Sequence, residues 1–139
     1  MDEIPMFERI EEMYISNAAY ARKPVRQDVS LVTSDIYHIE DVAGETVGIN
    51  ITREVYFQPE GNFDISVTAH VTLRFHSGLP SWPMRREVED TVQKIAPALF
   101  QMPMAKISLL VAELTGAGGH MPLITPPSFQ GVNADGGGL

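Results

Sequence analysis

The sequence predicts an α+β fold in which an antiparallel sheet carries helices on one face. Two observations predict it. Strand-like alternation fills the first half of the chain, where "FDISVTAHVTLRF" (63–75) alternates apolar and polar residues without a break. Apolar residues at helical spacing fill the second half, from about residue 88 to residue 114. Because the strands precede the helices instead of alternating with them, we expect the strands to pair antiparallel.

The N-terminal segment has a helical pattern. Met6, Ile10, Met13 and Tyr14 recur at three- and four-residue steps among good helix formers, so periodicity alone favours a short helix. Pro24 closes the segment.

A strand is expected to begin near Val29. Its alternation becomes irregular through "TSDIYHIEDVAGE" (33–45), where Ile36, Tyr37 and Ile39 sit among polar residues. The pattern predicts a strand that leads into a substantial loop.

A hairpin is predicted next. The stretch "ETVGINITREVYFQ" resumes the alternation, and "PEGN" supplies a four-residue turn before the strand at 63–75. The residues that share the apolar side of the first strand are Val47, Ile49, Ile51, Val55 and Phe57.

Two helices follow "HSGLPSWP", whose prolines and glycine end the sheet. The first is predicted by Val88, Val92, Ile95 and Leu99, with a bend at Pro97, which lacks an N–H donor. The second is expected to open near Pro103 and to stop at Gly116. Its apolar stripe comprises Ile107, Leu110, Val111 and Leu114.

The apolar face of the strand at 63–75 has to be covered. Thirteen residues span about 43 Å at roughly 3.3 Å per residue, whereas a helix over 103–115 spans about 20 Å. The bent helix before it covers more, and we expect a second copy of the chain to cover the remainder. The sequence therefore predicts a homo-oligomer, a dimer or a tetramer.

Length, composition and charge limit the domain number, the location and the partners that we expect for this protein. The 139 residues predict one domain, residues 1–129, followed by a flexible tail at 130–139. The absence of cysteine excludes thiol catalysis and Cys-ligated metals, and with an acidic, unsignalled N-terminus it favours a cytoplasmic location. A net charge of −8 disfavours nucleic acid as a partner, and no apolar run is long enough for a membrane span.

No motif for catalysis, for a metal or for a cofactor is present, which argues against an enzyme. His70, His76 and Asp64 share the polar face of the strand at 63–75, and a proton-transfer or small-ligand site there is one alternative. The simpler interpretation is the solvated outer face of a one-sided sheet.

One stretch resembles a known family. Residues 96–129, "APALFQMPMAKISLLVAELTGAGGHMPLITPPSF", are similar to the C-terminal half of SecB, the bacterial preprotein-export chaperone. The residues that fall on the family pattern are Pro97, Leu99, Phe100, Pro103, Gly116, Pro122, Pro126, Pro127 and Phe129. Ser128 stands where the family usually has Asn.

The resemblance implies a four-stranded antiparallel sheet that assembles as a dimer of dimers and binds unfolded polypeptides without ATP. It also implies that the N-terminal segment is a strand, and we adopt that prediction over the helix. The segment at Ile36, Tyr37 and Ile39 would correspond to the family's crossover region, which helps to line the peptide groove. The predicted groove residues, including aromatic and methionine residues added because such side chains suit varied clients, are Ile36, Tyr37, Ile39, Trp82, Met84, Phe100, Met102 and Met104.

Two departures from the family pattern affect the predicted partners. Around Ile15 and Ser16 the chain has Tyr14 and Ala18 where the family carries acidic residues that dock the SecA export motor, so docking to SecA is not expected to follow from the resemblance. The family's last helix also has no counterpart in 131–139. Two functions stay open: a general holdase for unfolded clients, and a module dedicated to one partner such as an antitoxin or a phage-associated protein.

Overall fold

Four long strands form one antiparallel sheet in the order β1-β4-β3-β2. They are β1 (Phe7–Arg22), β2 (Ser30–Ala43), β3 (Thr46–Gln58) and β4 (Phe63–Phe75). A short fifth strand, β5 (Gly131–Asn133), pairs in parallel with β2 at the far edge. The predicted α+β class and four-stranded antiparallel sheet are confirmed.

The computed structural model describes residues 7–43, 45–75 and 85–133. Within these ranges, neither helix combines the length and the apolar character that a membrane crossing requires.

The N-terminal segment is a strand, as the resemblance implied, and the helix favoured by its spacing is wrong. Three irregularities interrupt the pairing of β1 with β4, and each inserts an extra residue into β1. As a result Ile10, Met13 and Ile15 all lie opposite inward residues of β4 although they are three and two residues apart. The extra residues give a strand the apolar spacing of a helix.

The loop expected over 33–45 is also wrong, because β2 runs through it from Ser30 to Ala43. Asp35, Tyr37 and Ile39 alternate as buried residues on the inner face. The charged residue Asp35 occupies one of these inward positions, so it interrupts the apolar alternation of the sequence although the strand continues through it.

The crossover connection from β1 at one edge of the sheet to β2 on the other side is formed by residues 23–29. The predicted crossover residues Ile36, Tyr37 and Ile39 lie within β2. This connection passes the β3–β4 turn, where the Asn62 amide donates to the Pro24 carbonyl over 2.8 Å and the Lys23 amide donates to the Asn62 carbonyl over 3.0 Å. A hydrogen bond to Glu60 raises the pKa of Lys23, and a hydrogen bond from Arg26 lowers the pKa of Asp28.

The hairpin and both helices form as predicted, with shifted ends. The four residues 59–62 join β3 to β4. Helix α1 (Arg85–Leu99) continues through Pro97, and the break before helix α2 (Gln101–Ala117) falls at Phe100. α2 passes Gly116 and ends before Gly119, whose φ of 92° suits glycine.

The expectation that a second copy must cover β4 is wrong for the part of the strand whose side chains are described. Its inward residues from Phe63 to Leu73 are each at most 6% exposed within the single chain. Consecutive helices of 15 and 17 residues extend for about 22 and 25 Å, so together they match the strand's length. The side chain of Phe75 lies outside the described residues.

The flexible tail at 130–139 stays a prediction. Residues 131–133 form β5, while 134–139 lie outside the described residues.

Candidate peptide-binding site

A buried ion pair joins the two strands at the β2 edge of the sheet. Arg53 of β3 and Asp35 of β2 are direct cross-strand neighbours on the inner face, and they are 0% and 1% exposed. The guanidinium group donates from Nε to Asp35 Oδ1 over 2.7 Å and from Nη2 to Asp35 Oδ2 over 2.8 Å. Such a bidentate pair fixes both side chains in one geometry.

The same arginine holds the segment that follows α2, residues 120–130, which we name the closing segment. Its Nη1 donates to Thr125 Oγ1 over 2.8 Å and to the Pro126 carbonyl over 2.5 Å, and its Nη2 donates to the Ser128 carbonyl over 3.0 Å. With the two bonds to Asp35, every N–H of the guanidinium group has an acceptor. The closing segment is therefore tied to the sheet through one buried side chain.

Asp35 completes this connection. Its Oδ2 also accepts a hydrogen bond from the Gln130 amide over 2.7 Å. The closing segment is bonded to α2 as well, because Ser108 Oγ donates to the Thr125 carbonyl over 2.7 Å and the Leu123 amide donates to Thr115 Oγ1 over 2.8 Å. The segment thus lies along α2 and ends at Asp35.

Three aromatic rings pack beside the ion pair. Tyr37, Phe100 and Phe129 make mutual edge contacts with centroid separations of 5.2, 5.7 and 5.6 Å. They join β2, the break between the helices and the closing segment. The Pro-Pro-Ser-Phe sequence (126–129) therefore ends with Phe129, whose ring covers two predicted groove residues, Tyr37 and Phe100.

Four of the predicted groove residues lie inside the core of the single chain. Tyr37, Ile39, Phe100 and Met104 are each at most 3% exposed. Ile36 points to the opposite face of β2 and is half-buried. The structure brings Tyr37 and Phe100 together, but under Phe129 and not at an open groove.

Among the predicted groove residues in the described part of the chain, Met102 is well exposed, at 63%. Trp82 and Met84 lie outside the described residues. The role of all these residues in peptide binding stays a prediction.

Large apolar side chains are exposed on α2 and on the closing segment, which run side by side, as well as at Tyr14, Val25 and Leu31 elsewhere in the described chain. Leu109 is 54% exposed, Met121 87% and Ile124 78%. Together with Met102 we name these four residues the α2 ridge. An apolar surface of this kind suits a polypeptide segment better than a small polar ligand.

On the polar outer face of the sheet, the structure keeps His70 and Asp64 apart. His70 Nδ1 lies 2.9 Å from Asn50 Oδ1 and 3.3 Å from Glu40 Oε1, and its ring stacks on Tyr14. Asp64 lies six residues away on the same strand, about 20 Å along it, and pairs with Lys23. His76 lies outside the described residues. In the described ranges no three histidine or carboxylate side chains form a candidate cation site.

Sequence reasoning missed Arg53, Asp35 and Thr125 as the residues that organise this region. The available signal was a charge at an inward position: Arg53 falls between Ile51 and Val55 in a strand whose alternate residues are buried. A buried charge needs a partner of opposite sign. Which residue supplies it depends on the register of β2 against β3, which the sequence alone does not give.

Comparison with solved structures finds a similar fold. The SecB-like chaperone Rv1957 of Mycobacterium tuberculosis, solved in complex with a ChAD peptide from the Rv1956 HigA1 antitoxin, superposes with a TM-score of 0.65. The match covers 85% of this chain and 88% of that chain at 12% sequence identity.

A protein of unknown function from Streptococcus agalactiae matches with a TM-score of 0.44 at 16% identity, over 86% of this chain and 98% of that one. No family model matches the sequence. No curated protein matches it significantly.

Proposed function

Since the chain has a divergent SecB-like fold, we propose that it is a peptide-binding chaperone that holds unfolded or partly folded polypeptides without ATP. The likeness to a SecB-like chaperone solved with a bound peptide is the observation that carries this proposal. The α2 ridge supports it, because four large apolar side chains exposed by 54% or more offer non-directional attraction to varied sequences.

The first test is an aggregation assay without nucleotide. A chemically unfolded client protein is diluted into buffer with and without the purified chain, and light scattering is followed. We expect suppression of scattering that saturates with added chain. Unchanged scattering at a large molar excess of folded protein contradicts the proposal.

The second test places charge on the α2 ridge. Leu109→Asp combined with Ile124→Asp removes two side chains that would each contribute about 1.5–3 kcal/mol when fully buried against a client. Even partial burial makes us expect client affinity to fall by about tenfold or more. Fluorescence anisotropy with a labelled client, reduced and carboxymethylated so that it stays unfolded, measures the change.

The matched control for the ridge is Gln93→Asp combined with Ala98→Asp, which adds the same two negative charges at exposed positions of α1 outside the ridge. We expect this variant to bind the client with the affinity of the unaltered chain. Equal loss in the control and in the ridge variant would assign the effect to net charge and not to the ridge.

A second candidate function is a module dedicated to one protein partner. It is favoured by the antitoxin peptide that is bound in the solved structure of Rv1957. Affinity capture from a lysate of the source cells separates the two functions. One partner recovered in equal amount to the chain supports the dedicated module, and a mixed set of unfolded proteins supports the general holdase. Docking to an export motor and a cytoplasmic location stay predictions.

A further inference from the structure

The edge of β2 already carries an extended segment of this chain. β5 pairs in parallel with Asp35, Ile36 and Tyr37 through Gly131, Val132 and Asn133. It begins directly after Gln130, whose amide is bonded to Asp35. The pairing therefore starts where the side-chain connection to the closing segment ends.

The first position of this pairing accepts only glycine. A Cβ atom built on Gly131 would lie 1.5 Å from the Asp35 backbone oxygen and 2.6 Å from its carbonyl carbon. Both are backbone atoms of a central part of β2, so they do not move aside as the end of a side chain would. The contact selects for a glycine in any segment that pairs here in the same register.

The pairing of β5 with β2 is weak. It is three residues long, whereas β1 and β4 pair along strands of 16 and 13 residues. Parallel pairing is also less stable per residue than antiparallel pairing. A short edge strand of this kind opens at a much lower free energy than the global unfolding of the sheet.

We propose that the edge of β2 at Asp35, Ile36 and Tyr37 is a strand-addition site for an extended client segment, and that β5 is its internal competitor. Backbone pairing is compatible with many client sequences, and the Gly131 position adds a preference for segments that place glycine against Asp35. This inference rests on the proposed function, because the partner is an unfolded polypeptide. The occupant is a client strand and not a second copy of the chain.

The test uses the full chain with Gly131→Val, which cannot seat β5 in the observed register. The probe is a synthetic peptide with the sequence of residues 130–137, QGVNADGG. Backbone amide shifts of Ile36 and Tyr37 in the labelled protein report binding. If β5 leaves the site vacant about one tenth of the time, removing it tightens the peptide's apparent affinity by about tenfold.

Two controls accompany this measurement. The peptide QVVNADGG, in which valine replaces the glycine, should not shift Ile36 or Tyr37 in either protein. Gly116→Ala, where the added Cβ meets only Pro122 at 3.6 Å, should leave the peptide's affinity unchanged. Far-UV circular dichroism checks that each variant is folded. If Gly131→Val does not fold, Val132→Pro removes an N–H donor of β5 and takes its place.

Each outcome decides the proposal. Tighter binding of the glycine peptide to the variant, with no binding of the valine peptide, supports it. No binding to a folded variant, equal binding of both peptides, or a variant that self-associates in solution without binding peptide overturns it. If the unaltered chain suppresses aggregation but no peptide reaches β2, this inference fails alone. If the peptide binds and aggregation is not suppressed, the proposed chaperone function fails instead.

Discussion

At the scale of residues, one arginine decides how the region after α2 is placed. Arg53 is fully buried, and its donors are divided between Asp35 and the closing segment. A buried guanidinium group is stable only if its charge has a counter-ion and every N–H has an acceptor. Arg53 therefore requires β2, β3 and the closing segment to pack in one arrangement.

We predict that Arg53→Ala lowers the free energy of unfolding by about 3–5 kcal/mol, because it leaves the Asp35 carboxylate buried without its counter-ion. Urea unfolding followed by circular dichroism measures the loss. Hydrogen exchange at the Gln130 amide, bonded to Asp35, should accelerate in the same variant. The amides of β1 paired with β4 should be affected less.

The control is Arg26→Ala, which breaks an arginine–aspartate pair on the surface. Both partners are exposed, so this change should cost less than about 1 kcal/mol. Comparable losses in the two variants would contradict the role assigned to burial.

At the scale of elements, the end of α2 is fitted against β1. Gly118 packs on Tyr20, whose hydroxyl oxygen lies 2.7 Å from His120 Nε2, and Arg22 Nη2 donates to the Gly118 carbonyl over 3.0 Å. These contacts join the last turn of the helix to the sheet's other edge strand. The helix end is thus set by tertiary contacts and not only by its glycines.

Two neighbouring glycines should respond oppositely to alanine. At Gly118 the added Cβ would lie 2.6 Å from the Tyr20 ring, so Gly118→Ala should destabilise by about 1–3 kcal/mol. At Gly116, inside the exposed helix surface, the Cβ has room, and Gly116→Ala should stabilise by about 0.5–1 kcal/mol. Thermal unfolding compares them. Two shifts of the same sign would show that helix propensity outweighs the contact with Tyr20.

The observed strands and helices show where the spacing of apolar residues predicts the correct element and where it does not. Apolar spacing gave the correct second helix and hairpin, since most of their inward residues are hydrophobic: the inward residues of β4 from Phe63 to Leu73 are all apolar, and Arg53 interrupts a single inward position of β3. It failed at β1, where extra residues shift the alternation, and at β2, where Asp35 occupies an inward position. In both strands the deviation is resolved by the neighbouring strand, whose register the local sequence does not contain.

At the scale of the whole molecule, the single chain covers the described part of β4 by itself. The need to bury that face therefore gives no reason for assembly. In the described part of the chain no strand pairs with the outer edge of β1, a strand of 16 residues with β4 as its neighbour on the other side. Long edge strands are prone to pair with another chain.

We predict that the protein is larger than a monomer in solution. Light scattering coupled to size-exclusion chromatography should give a mass above 15.3 kDa. Ala18→Pro, near the middle of β1, should shift this mass toward the monomer because proline cannot donate to a new strand pair. A monomeric unaltered chain at high protein concentration would remove the predicted oligomer.

The sequence by itself determined the α+β class, the hairpin, the two helices and the likeness to SecB carried by residues 96–129. These features follow from local periodicity, from proline and glycine, and from a motif contained in one stretch. Only the tertiary structure decided that Asp35 meets Arg53, that Phe129 covers Tyr37 and Phe100, and that Leu109 and Ile124 stay exposed. The reason is physical: burial and ion pairing depend on which distant segments pack together, as the register of β2 against β3 shows by setting Asp35 opposite Arg53.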